Sequence, residues 1–368
     1  SFGGRRFNDS PKILFEKMRV NIILVILMLW LVSSCSLTTV QERGIDYAFQ
    51  KCDSLRHAAT IADDYIWGHP LAMQCLDSMI FVFDEKLENG MFHIVDCHNK
   101  NEVIDFGHKG QGNNEFIMPF DFQVVGDTAL SIFDFAKKSL CLLNPDRLKH
   151  KDNLDYPILY KDTVPSTIKI LPTRFTSFVT LGFYPDCMFK LCDRNGVSSY
   201  GEYPYKDEDE RSIENRMRGM AYQGLLGINP SNDKFVYAVS SADIIFFYEI
   251  NQKELSLKCK YEFNYPKYQV SMKGDTRSAP MAPDNRKTFI SLSATDDFVY
   301  LLYAGYSFSD KGLKALEGNI VYVYDWNGTP VQKFLLDIPV TNISVANGKL
   351  YAFSNMPEPT LVAFDLLN

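Results

Sequence analysis

Phe106-Gly107-His108-Lys109-Gly110-Gln111-Gly112-Asn113-Asn114-Glu115-Phe116 is a glycine-punctuated loop set between two strand-like runs. Gly107, Gly110 and Gly112 let the backbone turn with positive φ and pass close to its neighbours. Val103-Ile104 precedes the loop, and Phe116 to Pro119 and Phe122 to Val125 follow it. The loop therefore reads as the junction between two successive sheets. A phosphate cradle would need a helix after the glycines to supply an anion-binding N-terminus, and no helical pattern follows.

Outward from this junction one pattern recurs, a turn of small polar residues leading into an apolar run. Leu76-Asp77-Ser78 leads into Ile80 to Asp84, and Val125-Gly126-Asp127 into Leu130 to Asp134. Further on, Ser231-Asn232-Asp233 leads into Phe235 to Ala238, Thr295-Asp296-Asp297 into Phe298 to Tyr303, and Ala346-Asn347-Gly348 into Leu350 to Phe353. Turns of this kind between β-rich runs are hairpin signals. A second run follows each, and a weaker unit with Phe175 to Phe183 and Met188 to Cys192 as its central strands completes a set of six. The repeat is about 54 residues, a little above the roughly 40 to 50 of common propeller blades. An aromatic content of 14%, with 27 Phe and 20 Tyr, suits half-buried pleated surfaces rather than helices.

A four-stranded unit cannot bury both faces alone, so the units must stack side by side, and radial closure leaves no long exposed edge. The expected fold is all-β: a six-bladed β-propeller of four-stranded antiparallel blades over residues 67–368. The last unit ends after Leu366 without a fourth strand. The spare material lies in Asp46 to Ile66, so the ring is expected to be closed by an N-terminal strand. Two insertions break the rhythm. Asp207 to Arg218, acidic first and basic last, is expected to form a solvated helical connection between units three and four. Tyr306 to Gly318 is expected to decorate the rim of unit five.

The start of the chain is read separately. Val20 to Leu31 is apolar apart from Asn21, follows Lys17 and Arg19, and runs through Val32 into Ser33-Ser34-Cys35. It is too short to span a bilayer core, which needs roughly 20 residues, and matches the apolar region of a secretory signal. Val32-Ser33-Ser34-Cys35 resembles the lipobox of bacterial lipoproteins, in which acylated Cys35 becomes the first mature residue and the membrane anchor. The expected divisions are residues 1–17 as upstream translation before an initiating Met18, 18–35 as lipoprotein signal peptide, and 36–66 as tether and closing strand. The expected location is the bacterial cell envelope, at the outer membrane, facing periplasm or exterior. The first 35 residues are net basic, so the remainder is more acidic than the whole chain's −7. An acidic body does not track a phosphate backbone, and nucleic acid is not an expected partner.

Seven cysteines remain besides Cys35, with neither the paired spacing of a zinc site nor the density of a disulfide scaffold. They read as small buried hydrophobes, with a bridge between Cys187 and Cys192 left open.

Trp67-Gly68-His69-Pro70, Leu76 to Asp84, Phe92-His93-Ile94 and above all Phe106 to Phe116 resemble the TolB-like six-bladed β-propeller lipoproteins of Bacteroides-type bacteria. The loop is also similar to the G-x-x-G-x-G-P-G-E-F segment of NHL-type propellers. Ala221-Tyr222-Gln223-Gly224 and Asn229-Pro230 resemble the family's mid-chain signature. Asn113-Asn114 departs from the usual Pro-Gly, a change the turn tolerates because Asn accepts left-handed geometry. The resemblance implies the fold. It implies little about activity, since propellers host many unrelated functions.

Chemistry is sparse. The six histidines all fall within the first 150 residues, so none can be drawn from around the whole ring. His93 alternates with Phe92 and Ile94 and reads as a satisfied strand residue rather than a metal ligand. Asp84, Asp96, Asp134, Asp193 and Asp325 recur near strand ends. There they would cap turns, or ring a channel as calcium ligands were they on inner strands. No nucleophile elbow, phosphate loop or dinucleotide fingerprint occurs. Glu115 reads as a holder of the loop's amides. The candidate ligand-binding residues are His108, Lys109, Gln111 and Glu115; no catalytic or metal-binding residue is assigned, and no cofactor is expected, with a divalent metal such as calcium left open. The expected function is an envelope lipoprotein offering a binding platform to a ligand, a glycan, a peptide or a protein. The alternative is a metal-dependent lactonase-like or lyase-like propeller enzyme, which would need convergent acidic, amide or imidazole side chains at the channel mouth.

Overall fold

The structure, a computed structural model, describes residues 44–85, 90–97, 102–126, 128–149, 156–273, 276–355 and 357–366. The signal segment with Cys35, and also His98 and His150, lie outside the described residues. The chain divides into Ser1–Asp46 and Tyr47–Asn368, and the second unit carries the fold.

Six sheets follow one another along the chain. Blade 1 is Pro70–Leu76, Met79–Asp84, Phe92–Asp96 and Val103–Phe106; blade 2 is Pro119–Val125, Ala129–Asp134, Ser139–Leu143 and Ile158–Lys161. Blade 3 is Thr167–Pro172, Phe178–Gly182, Phe189–Asp193 and Gly196–Tyr200; blade 4 is Gly224–Ile228, Lys234–Val239, Asp243–Ile250 and Leu255–Phe263. Blade 5 is Arg286–Ala294, Phe298–Ser307, Gly318–Asp325 and Pro330–Val340; blade 6 opens with Asn342–Ala346, Lys349–Ser354 and Thr360–Asp365. The first strand of each blade contacts the first strand of the next, and that of blade 6 contacts that of blade 1. The ring is closed, and these six inner strands line its channel.

Burial explains why the central strands read as continuous apolar runs. A strand sandwiched between neighbouring blades is covered on both faces, as in Met79–Asp84, where Ile80, Phe81 and Val82 are all buried. The outer strand Gly196–Tyr200 is mostly exposed.

The closing strand is His57–Ile61, paired antiparallel with Thr360–Asp365, with Ile61 opposite Leu361 and His57 opposite Phe364. One closing strand was expected from sequence; the segment supplies two. Cys52–Leu55 also joins blade 5 as a fifth strand, parallel to Pro330–Val340.

Because each blade is antiparallel, every inner strand starts at the same end of the ring, the end that carries the blade-to-blade connections. The long insertions gather there. Asp207 to Arg218 becomes two helices, Glu208–Arg211, which buries nothing, and Asn215–Ala221, which does not fit the solvated connection expected. In the second, Asn215 Nδ2 donates to Tyr184 O at 2.9 Å and Cys187 O at 2.7 Å. Arg218 Nη1 donates to Tyr203 O at 2.7 Å. Gly219 is required by the ring of Tyr203, since a Cβ there would lie 2.6 Å from it. An added hairpin, Ser271–Lys273 with Thr276–Ser278, precedes blade 5 and was not expected. Tyr306 to Gly318 forms the short helix Phe308–Lys311 and a 3₁₀ turn, Gly312–Leu316.

The recurring aspartates lie on second and third strands, none on an inner strand, so they do not ring the channel. Four of them, Asp84, Asp134, Asp193 and Asp325, hold backbone amides instead. Asp84 accepts from Gly68 N at 2.8 Å and His69 N at 2.7 Å; Asp134 accepts from Ile117 N at 2.7 Å, Met118 N at 3.3 Å and Lys137 N at 3.0 Å. Asp193 and Asp325 cap the turns that follow them. The seven described cysteines are free, Cys187 and Cys192 among them. Burial pushes the thiols of Cys141, Cys187 and Cys192 up, as fits small core residues rather than reactive ones.

Candidate functional site

The loop from Phe106 to Phe116 is pinned at both ends, because the rings of Phe106 and Phe116 pack on Phe92. Gly107 has a φ of +74° and faces the Phe92 ring, which leaves no room for a side chain. Between the ends, the loop is held by its own groups. Glu115 Oε2 accepts from Gly112 N at 2.7 Å, and Lys137 Nζ donates to Gly112 O at 2.6 Å and Glu115 O at 2.7 Å. Asn114 Oδ1 accepts from Tyr156 N at 3.2 Å, so one of the two substituted asparagines gains a contact of its own. His108 and Lys109 form an exposed two-residue strand beside Glu115–Phe116. Gln111 and Glu115 border an open surface hollow of about 720 Å³ with Lys137, Tyr156 and Lys161. None of the four candidate residues lines the pocket in the channel.

That pocket lies at the loop end of the channel and holds about 220 Å³. Its walls mix apolar side chains, Leu71, Phe83, Phe92, Phe122, Leu225 and Leu292 among them, with polar groups. Its polar groups come from inner strands. Asp121 and Gln123 stand two residues apart on blade 2, hence on one face of the strand. Gln123 Nε2 donates to Asp121 Oδ1 at 3.2 Å and to Leu226 O of blade 4 at 3.1 Å. Lys169, on the inner strand of blade 3, places Nζ 3.7 Å from Asp121 Oδ1. The Asp121 side chain is 8% exposed and that of Lys169 15%. Asp121 Oδ2 is buried and has no hydrogen-bond partner. Burial pushes the Asp121 carboxyl up from the ordinary aspartate value, and Lys169 and the Gln123 amide oppose that shift only in part.

Other polar groups at the wall are used in joining blades. Ser291 Oγ accepts from Ile343 N at 3.0 Å, and Asn342 Nδ2 donates to Pro70 O at 3.2 Å. Gln74, Gln123 and Leu292 also line a second hollow, about 240 Å³, that opens among the turns at the opposite end. These three residues form the waist of the channel. Leu292 can lie there because position 227 is glycine; a Cβ on Gly227 would stand 2.2 Å from it.

Sequence reading passed over Asp121 and Lys169. The available signal was a charge inside an apolar strand, Phe120-Asp121-Phe122 and Ile168-Lys169-Ile170. His93, read as satisfied, is so at one ring nitrogen only: it is fully buried with Nδ1 2.8 Å from Asp105 Oδ1 and 3.1 Å from Tyr65 OH, while Nε2 is buried without a hydrogen-bond partner. Among the described residues no group of three or more His, Cys, Asp or Glu side chains is placed to hold a metal ion.

The fold and this channel define the class, a six-bladed β-propeller with a pocket of mixed apolar and polar lining and a buried acid at its loop end. The chain belongs to the TolB-like 6-blade propeller-like family, whose model matches residues 48–348. A search of curated proteins finds no match. Similar solved structures include a candidate exported protein from Bacteroides fragilis, at 12% identity and a TM-score of 0.47 over 88% of this chain and 96% of that one. Regucalcin, a calcium-binding protein from Agrobacterium tumefaciens, aligns at 8% identity and a TM-score of 0.45 over 86% and 96%. A streptogramin B lyase aligns at 10% identity and a TM-score of 0.44 over 84% and 87%.

Proposed function

We propose that the protein is a binding protein of the bacterial cell envelope that takes a small ligand, or one projecting side chain of a glycan, peptide or protein partner, into the loop end of its channel. The observation that carries this reading is the pocket itself: a cavity lined by aromatic and aliphatic side chains together with polar ones, among them a carboxylate with a buried oxygen left unpartnered. Apolar side chains combined with convergent polar groups are the usual make-up of a ligand site. The envelope location and a membrane anchor at Cys35 rest on the signal segment and on Val32-Ser33-Ser34-Cys35.

The pocket is tested by filling it. Ala72 lies on its wall, and Ala72→Phe adds a ring to the cavity. Ligand-observed NMR with a library of small apolar compounds should give hits for the wild-type protein that vanish in Ala72→Phe, while the far-ultraviolet circular dichroism of the two proteins stays alike. Hits that persist in the variant would place binding elsewhere.

A further inference from the structure

We infer that the channel pocket takes a small primary amine with an apolar body, its ammonium group docked on Asp121 Oδ2. This rests on the reading of the pocket as a binding site and adds the chemical class of what it holds. The two carboxylate oxygens of Asp121 are unequal. Oδ1 has Gln123 Nε2 at 3.2 Å and Lys169 Nζ at 3.7 Å. Oδ2 is buried without a donor, in a side chain that is 8% exposed. A buried acceptor left unmade is costly, and more so when charged. The lysine does not remove that cost. A charge-assisted N–H···O bond closes to about 2.7–2.9 Å, so the separation at Asp121 leaves the carboxylate incompletely neutralised.

A ligand ammonium on Oδ2 supplies the missing donor and adds positive charge to that of Lys169. Ser291 and Asn342 do not compete for it, because both are bonded to backbone of the neighbouring blade. Phe83, Phe92, Phe122 and Leu225 then receive the apolar body. The cavity of about 220 Å³ equals the liquid volume of about seven waters. That suits a body the size of one aromatic ring.

Four probes of one shape separate the possibilities: benzylamine, benzyl alcohol, toluene and benzoate, titrated against the full-length mature protein by calorimetry. Benzylamine is expected to bind about tenfold or more tightly than benzyl alcohol or toluene, and benzoate most weakly. Asp121→Asn should abolish the preference for the amine while leaving toluene binding in place. Lys169→Met should widen the preference, because the carboxylate then has no cation of its own, and benzylamine should raise that variant's melting temperature more than the wild type's. If Lys169→Met does not fold, Asp121→Asn decides. Equal binding of benzylamine and benzyl alcohol, or a preference that survives in Asp121→Asn, would overturn the assignment of the head group while the pocket reading stands. Binding of none of the four would overturn both.

Discussion

Asp134 shows at the level of one residue how this chain makes its turns. Its carboxylate is buried and receives three backbone amides, two of them from Ile117 and Met118, which lead into the inner strand of its own blade. Asp84 does the same for Gly68 and His69 in blade 1. Asp134→Ala leaves these amides without their acceptor and should cost about 3 kcal/mol, the scale of hydrogen bonds to a charged group lost at a buried site. Urea unfolding followed by fluorescence measures it, and a loss below about 1 kcal/mol would mean that water replaces the carboxylate. These aspartates were legible as turn caps because a cap and the turn it serves are close in sequence. Glu115 was legible as a holder of the loop for the same reason, since Gly112 is three residues away. Asp121 was not, because its partner Lys169 belongs to the next blade and pattern along one strand says nothing of what faces it across a blade boundary.

Among the elements, the two strands before blade 1 carry the largest structural consequence. His57–Ile61 is the outer strand of blade 6, and Cys52–Leu55 edges blade 5. Without residues 36–66, Leu361, Phe364 and Leu336, all buried, lose cover, at up to roughly 1.5–3 kcal/mol per side chain. The sum is comparable with the whole stability of about 5–15 kcal/mol that domains possess. A chain lacking residues 36–66 is therefore expected to lose its cooperative thermal transition, measured by calorimetry. A melting curve like that of the full chain would show that blade 6 holds without its fourth strand. The need for a closing strand followed from counting runs after Ala346. The second, parallel strand did not, because Cys52–Leu55 is mostly exposed and leaves no alternating pattern to read. The buried helix Asn215–Ala221 was misread for a related reason. Its polar residues Asn215 and Arg218 suggested a solvated face, whereas they satisfy backbone carbonyls of blade 3 and of the segment that follows it.

At the scale of the whole molecule, the ring places its long connections and the channel pocket at one end, and a lipid at Cys35 would hold that ring at a membrane. Metabolic labelling with a palmitate analogue tests the anchor: wild-type protein should carry the label and partition into detergent, and Cys35→Ala should carry none. Label retained in the variant would place acylation elsewhere. The sequence by itself determined the repeat, the six blades, the family and the turn-capping aspartates, since each rests on residues close together in the chain and on a period that composition makes visible. Only the tertiary structure decided where the chemistry lies. It brought the inner strands of blades 2, 3 and 4 to one channel wall, set Asp121 beside Lys169, and left one carboxylate oxygen there buried and free. The physical reason is radial closure: residues far apart in the chain become neighbours when the ring shuts, and no local pattern encodes which ones meet.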